Sequence, residues 1–237
     1  MEIREEEYKL GIEIRNLRFG YSSNSNVLED LNLSFNAGEI WGILGHNGAG
    51  KTTLARLLMG VLPAQGGSIS YNEMYERVSY LPETNGIYEK LSCIDNLIFR
   101  GELAGLSPKN CRDRAEELLE LLGLKNKRNE RAAFLSQGLK KRLGLACTIM
   151  NPSNLLILDE PTNGLDPESL EVIKKIISSL NDENRIILMN CHDLPTVQET
   201  CTNVAIIQNG KCIYSGERSN APLNEIYMNI TREGSNE

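Results

Sequence analysis

Nothing in this sequence approaches the ~18 consecutive apolar residues that a membrane-crossing helix needs. The longest apolar candidates, residues 155–158 and 186–189, have the length of buried strands. The N-terminal MEIREEEYKL lacks the apolar core of a signal peptide and is acidic. The expectation is a cytosolic chain that reaches a membrane only through a partner. Basic residues are also in deficit: Lys plus Arg is 25 against 32 for Asp plus Glu, a net charge of −7. Nonspecific nucleic-acid binding favours the opposite balance. The six cysteines, at 93, 111, 147, 191, 201 and 212, form no C-x-x-C pair and no zinc-spaced cluster with histidine, so reduced thiols are expected. Internal repeats and low-complexity tracts are missing, and residues from about 231 onward read as a frayed tail.

What is present is an ordinary globular composition, 41% hydrophobic and 24% charged over 237 residues. That suits one α/β domain, or one domain with an inserted subdomain. Ile12, Ile14 and Leu17 open a strand-rich region. Leu31, Leu33 and Phe35 alternate with polar residues as a half-buried strand does. Residues 36–39 form a turn, and 40–44 form a short apolar run ending at Gly45, as a buried parallel strand would. Residues 52–60 carry a helical stripe through Leu54, Leu57, Leu58 and Val61. A loop at 64–67 precedes strands at 68–71 and 78–81. Residues 92–149 then show helical periodicity, with Ala115, Leu118, Leu119 and Leu122 on one face and Gly123 as the stop. Strand signals return at 155–158, 185–189 and 204–207, with a helix at 168–180 between the first two. Strand–helix alternation on both sides of a helical stretch predicts a parallel-sheet core carrying an inserted helical subdomain.

Gly45-His46-Asn47-Gly48-Ala49-Gly50-Lys51-Thr52 fits G-x-x-x-x-G-K-[ST], placed between a buried strand and an amphipathic helix. Glycines there let successive backbone N–H groups face phosphate oxygens, and the helix N-terminus adds positive potential. Lys51 supplies a charge for the β- and γ-phosphates, the Thr52 hydroxyl is a Mg²⁺ ligand, and Thr53 follows within the nucleotide-contacting set. His46 occupies a variable position of the loop and is expected to face solvent or pack rather than catalyse. Downstream, four apolar residues run into Asp159 and Glu160. A buried strand delivers such a pair to its C-terminal edge, where open α/β sheets bind ligands. Asp159 would order the Mg²⁺ shell and Glu160 would act as general base.

Further motifs give a resemblance to one family. Leu135-Ser136-Gln137-Gly138-Leu139 resembles the ABC (ATP-binding cassette) signature, which commonly reads L-S-G-G-Q. Residues 161–167, PTNGLDP, resemble the family's D-loop. His192 stands where the family has its switch histidine, Tyr21 where it stacks an aromatic on adenine, and Tyr80-Leu81-Pro82-Glu83 where it has its Q-loop. The resemblance covers roughly residues 10–218. It implies a P-loop NTPase (RecA-like) core over about 10–83 and 150–218, with an N-terminal antiparallel β-subdomain. A helical subdomain over about 84–149 and a tail over about 219–237 complete one domain. It also implies ATP and Mg²⁺ as cofactors, with His192 and Glu160 at the γ-phosphate. Ser136, Gln137 and Gly138 would serve the nucleotide of a second cassette in a dimer. The partner would be a membrane permease, with the chain held peripherally at the cytoplasmic face and no nucleic acid bound. Read from the residues alone, Ser136 is equally a good helix N-cap, and the lesser alternative for Tyr21 is a surface-turn tyrosine.

Two departures stand out. Gln137 and Leu139 replace the common glycine and glutamine of the signature, which places nucleotide affinity in question. Glu83 replaces the Q-loop glutamine; a carboxylate still ligates Mg²⁺, with added negative charge. The stretch from Leu81 to Leu91 is similar to that of bacterial type-two exporters. Ile87, Tyr88 and Leu91 there read either as a permease socket or as inward packing. DNA-acting relatives carry a long coiled-coil insertion for which the interval from Thr52 to Leu135 is too short. Ribosome-acting relatives usually carry two cassettes. The alternative of a non-transport ATPase acting on nucleic acid or ribosomes is therefore second.

Overall fold

The computed structural model describes residues 10–22, 26–220 and 223. The acidic stretch before Leu10 and the tail from about 231 lie outside them. Two compact units are distinguished: Met1–Val78 with Asn154–Ile157 and Asn181–Glu237, and Ser79–Ser153 with Leu158–Leu180.

In the first unit, β1 (Leu10–Phe19) and β2 (Leu28–Asn36) pair antiparallel. Ile12 sits opposite Phe35, Ile14 opposite Leu33 and Leu17 opposite Leu31, all buried. These facing apolar pairs are the local reason the register holds. After β3 (Ile40–Leu44) and α1 (Lys51–Leu58), β4 (Gly66–Tyr71) joins the other edge of β1. The expected loop at 64–67 is therefore shorter, because Gly66 already pairs with Arg18. β5 (Val78–Leu81) and β6 (Leu155–Asp159) each begin in the first unit and end in the second.

The main sheet of the first unit has the order β6-β7-β3-β8-β9, where β7 is Ile186–Asn190, β8 Asn203–Gln208 and β9 Lys211–Glu217. β3 is parallel to both β7 and β8, and every residue of β3 and β7 is buried, as two covered faces require. The core is mixed rather than wholly parallel, because β9 returns antiparallel to β8. Asn209 (φ 48) and Gly210 (φ 76) make that reversal in the left-handed pairing that a two-residue hairpin demands.

The second unit is helical: α2 (Cys93–Leu103), α3 (Pro108–Leu121), α4 (Gln137–Thr148) and α5 (Pro167–Leu180). Ser92, Ser107 and Ser136 cap the first three, each accepting a backbone N–H of the first turn. Ala115, Leu118, Leu119 and Leu122 form the buried stripe of α3, and Gly123 (φ 67) ends it as its sequence predicts. A last short helix, α6 (Leu194–Thr200), belongs to the first unit and is capped by Asp193.

The segment from Glu83 to Leu91 is pinned to α2. Asn96 is fully buried; its Oδ1 accepts the Tyr88 N–H at 2.7 Å, and its Nδ2 donates to the carbonyls of Tyr88 at 3.0 Å and Ser92 at 2.9 Å. Arg100 Nη2 donates to the Gly86 carbonyl at 2.6 Å, and the Tyr88 ring sits edge-on to Phe99. Asn96→Ala strands these buried backbone groups and should cost about 1–3 kcal/mol, read as a lower urea midpoint at unchanged slope. An unchanged midpoint would show that the segment is not held this way.

Candidate nucleotide site

In the first unit, β3 ends at Leu44 and the phosphate loop begins at once. β7 runs parallel beside it, with Ile43 opposite Asn190, and the Cys191 N–H bonds the Ile43 carbonyl at 3.2 Å. The sheet therefore brings Gly45 and His192 to the same edge. Gly50 takes φ 107 at the start of α1, and a Cβ there would come within 2.6 Å of Leu28 Cδ2. Both facts restrict the position to glycine. Gly45, Ala49 and Gly50 are buried while Asn47 and Gly48 are exposed, so the loop shows its tip to solvent.

Lys51 is 8% exposed, and its Nζ donates to the carbonyls of Gly45 at 2.7 Å and His46 at 3.2 Å. The ammonium is thereby curled under the loop it serves. His46 Nδ1 donates to the Asn47 carbonyl at 2.7 Å, which fixes the proton on Nδ1 because a carbonyl only accepts. Its bond closes on the loop itself, in keeping with a packing role.

Tyr21 is 56% exposed, yet its hydroxyl is tied to α1 by Thr53 Oγ1 at 3.2 Å and by Arg56 Nη1 at 3.1 Å. Phe19 braces the ring edge-on, with centroids 5.1 Å apart. The Thr53 hydrogen bond, aided by Arg56, holds the phenol pKa below its ordinary value. The result is a flat aromatic face held beside the helix that carries Lys51, Thr52 and Thr53.

The second unit holds Glu83, Ser136, Gln137, Gly138, Asp159 and Glu160. Asp159 is 6% exposed, and the Tyr80 hydroxyl donates to its Oδ2 at 3.0 Å, fixing the carboxylate's orientation. Glu160 takes φ 48, a left-handed conformation that costs a non-glycine residue about 1–2 kcal/mol. Its carbonyl accepts from Asn163 N at 3.4 Å and from Lys141 Nζ at 3.1 Å. Lys141 is 4% exposed and also donates to the Glu83 carbonyl at 3.2 Å. Burial pushes the Lys141 pKa down, and the carboxylates of Glu83, Glu160 and Asp159 act against that shift. The Glu83 carboxylate is exposed and accepts from Asn163 Nδ2 at 3.4 Å.

Ser136 Oγ accepts the Leu139 N–H at 3.4 Å, so the N-cap role is present. That bond uses a lone pair and leaves the hydroxyl proton available for a ligand, so the two roles are compatible. Gln137 is exposed at the first turn of α4 and lines a groove of about 600 Å³ with Glu83, Ile87, Lys140 and Asn163. Among the described residues no three His, Cys, Asp or Glu side chains form a metal cage.

Tyr80 and Lys141 were not singled out by sequence reasoning. Lys141 lies three residues after Gly138 on the buried face of α4, a spacing that marks it as inward-facing. Tyr80 was named only as the first residue of the Q-loop stretch, and nothing local marks its hydroxyl, whose partner is far along the chain.

A sequence profile of the ABC transporter family matches residues 28–163, more than half the chain. The chain belongs to the ABC transporter family. This cassette is 32% identical over 206 residues to an uncharacterised ABC transporter ATP-binding protein of Methanocaldococcus jannaschii, covering 87% of this chain and 77% of that one. It is 36% identical over 203 residues to the bacitracin transport ATP-binding protein BcrA of Bacillus licheniformis, covering 81% of this chain and 65% of the relative. The chain thus spans just under two thirds of BcrA. A solved ATP-binding subunit of an ABC transporter superposes with a TM-score of 0.79 at 28% identity, over 93% of this chain and 99% of that one. The domain is an ATP-binding one, of an ATPase family.

The structure also gives the cassette's Gly138 a role that needs no ligand. A Cβ there would come within 2.7 Å of Ser169 Cβ, so α4 reaches the start of α5 only through a glycine. Ser169 is itself fixed by Asp166, whose two carboxylate oxygens accept its N–H at 3.0 Å and its hydroxyl at 2.8 Å. Gly138→Ala should lower stability by about 1–3 kcal/mol without nucleotide present, measured by thermal or urea melting. An unshifted melt would assign the glycine to nucleotide contact alone.

Proposed function

We propose that this chain is the ATP-hydrolysing subunit of an ABC exporter, a cassette that pairs with a second cassette and drives a separate membrane permease. The observation that carries the reading is the phosphate loop: a glycine in left-handed backbone opens α1, and Lys51 is held beneath the loop by the loop's own carbonyls. Such a loop suits the polyphosphate of a nucleotide. The similarity to a bacitracin transport subunit supports transport over action on nucleic acid, as does the net charge of −7. Among the described residues no helix is long and apolar enough to cross a membrane, so the reading assigns membrane attachment to the permease. The whole chain from the β-subdomain to β9 is read as one functional domain.

In this reading Tyr21 stacks on adenine, and the amides of Gly45 to Thr53 surround the phosphates with Lys51. Thr52, Asp159 and Glu83 are hard oxygen donors of the kind Mg²⁺ takes alongside nucleotide phosphates, and the metal would neutralise charge developing on them. Glu160 takes a proton from water as its oxygen bonds to the γ-phosphorus, and the bond to the β-phosphate oxygen breaks to release ADP. His192 hydrogen-bonds the γ-phosphate. Ser136, Gln137 and Gly138 face the nucleotide of the neighbouring cassette. Gln137 is exposed, which leaves it open to the neighbour's nucleotide in this reading.

The test is Glu160→Gln, which removes the base and leaves Lys51 and the loop amides intact. The variant should bind ATP, turn over very slowly and elute as a dimer only with ATP. Normal turnover would refute the role of Glu160. For the permease, Ile87 is the better probe, because Tyr88 is seated against Phe99. Ile87→Asp should keep its melting temperature and ATP binding but fail to co-purify with the permease. Early melting would instead mark Ile87 as packing.

A further inference from the structure

We propose that Lys141 is a positioning residue for Glu160, clamping the backbone of the general base and of the segment from Glu83 to Leu91 with one ammonium. The inference rests on the reading of Glu160 given above. Lys141 Nζ donates to the Glu160 carbonyl at 3.1 Å and to the Glu83 carbonyl at 3.2 Å, and the residue is 4% exposed. A buried ammonium needs acceptors, and replacing one of these carbonyls by water requires opening the site. The Glu160 carbonyl belongs to the residue whose φ of 48 must be held against its own preference. Releasing that carbonyl frees the backbone to relax and swings the carboxylate away from its present position.

A second, independent set of contacts runs along the same face of α4. Lys141, Gly144 and Thr148 are spaced i, i+3, i+7, so they lie in one line. A Cβ on Gly144 would come within 2.6 Å of the Asn85 carbonyl, so α4 lies directly against the segment that Lys141 clamps. Thr148 Oγ1 reaches the Tyr80 carbonyl at 3.5 Å, and the Tyr80 hydroxyl donates to Asp159 Oδ2 at 3.0 Å. One helix face therefore supports both members of the acidic pair, Glu160 directly and Asp159 through Tyr80. Lys141 makes no described hydrogen bond to the phosphate loop or to Tyr21, and it holds Glu83 and Glu160 by their carbonyls rather than their carboxylates, so its expected effect falls on turnover more than on nucleotide affinity.

The experiment compares full-length wild type, Lys141→Met, Lys141→Gln, Glu160→Gln and the Lys141→Met/Glu160→Gln double variant. ATP hydrolysis, affinity for a fluorescent ATP analogue and melting temperature are measured for each. Turnover of Lys141→Met should fall by roughly 10²-fold, the cost of about 1 Å of misplacement of a reacting group, while nucleotide affinity stays within about twofold. Lys141→Met should bring no further loss in the Glu160→Gln background, since the base it positions is already gone. Lys141→Gln, which keeps a neutral donor, carries the same comparison if the methionine variant melts early. Undiminished turnover, equal losses of affinity and turnover, or an independent further loss on top of Glu160→Gln would each overturn the proposal. So would early melting of both Lys141 variants, which would assign the residue to fold maintenance. Normal turnover of Glu160→Gln alone would instead remove the general-base reading, whatever the Lys141 variants do.

Discussion

An ammonium group cannot leave water unless something replaces its hydration shell, and an unpaired buried charge costs several kcal/mol. Each unit of this cassette contains a lysine that solves the problem in the same way. Lys51, 8% exposed, turns back onto the carbonyls of Gly45 and His46; Lys141, 4% exposed, onto those of Glu83 and Glu160. In both cases the acceptors are backbone atoms of the very loops that carry the candidate chemistry. The lysines draw on those carbonyls, and moving the carbonyls costs the ammonium groups hydrogen bonds. Loops that would otherwise be the mobile parts of the molecule are fixed by this mutual requirement.

Local signals carried most of the architecture into the sequence. The runs that became β3, β6 and β7 are apolar at every or nearly every position, because strands covered on both faces tolerate nothing else. The stripe of α3 and its Gly123 stop were equally visible. The phosphate loop and the acidic pair were legible because their spacing is set within a few residues by the turn that each must make. β9 was missed although Asn209-Gly210 is a strong hairpin signal, because its residues alternate between exposed and half-buried and carry no apolar run. Helix α6 is a short piece held by the Asp193 cap and offers too few turns for a periodicity to emerge.

The parts of the site that were not legible share one physical origin: they depend on partners distant in sequence. Tyr80 matters because Asp159 lies opposite it, and neither residue's neighbours announce the other. Gly138 reads as a concession to a ligand until Ser169 is seen to occupy the space a Cβ would need. Lys141 reads as one more cation beside Lys140, yet Lys140 pairs with the exposed Glu89 while Lys141 turns inward. A sequence gives the charge of both and the burial of neither. Gln137 is exposed at the first turn of α4, a placement that the sequence did not give.

Packing also decides how a disturbance at the segment from Glu83 to Leu91 would travel. Its backbone is held by Asn96 at Tyr88, by Arg100 at Gly86 and by Lys141 at Glu83, three side chains on two helices. Interiors at this density shift as bodies rather than stretching. A partner pressing on Ile87 therefore cannot move that residue alone; it must carry α2, break these bonds, or displace the carbonyl that Lys141 shares with Glu160. The third route is the one with a chemical consequence, because one ammonium donates to both carbonyls and so ties their positions together. Lengthening the bond to Glu83 leaves the bond to Glu160 to hold the ammonium, and tightening it draws the ammonium away. Under the proposed function, a partner held at Ile87 and the backbone of Glu160 would then be linked through a single donor.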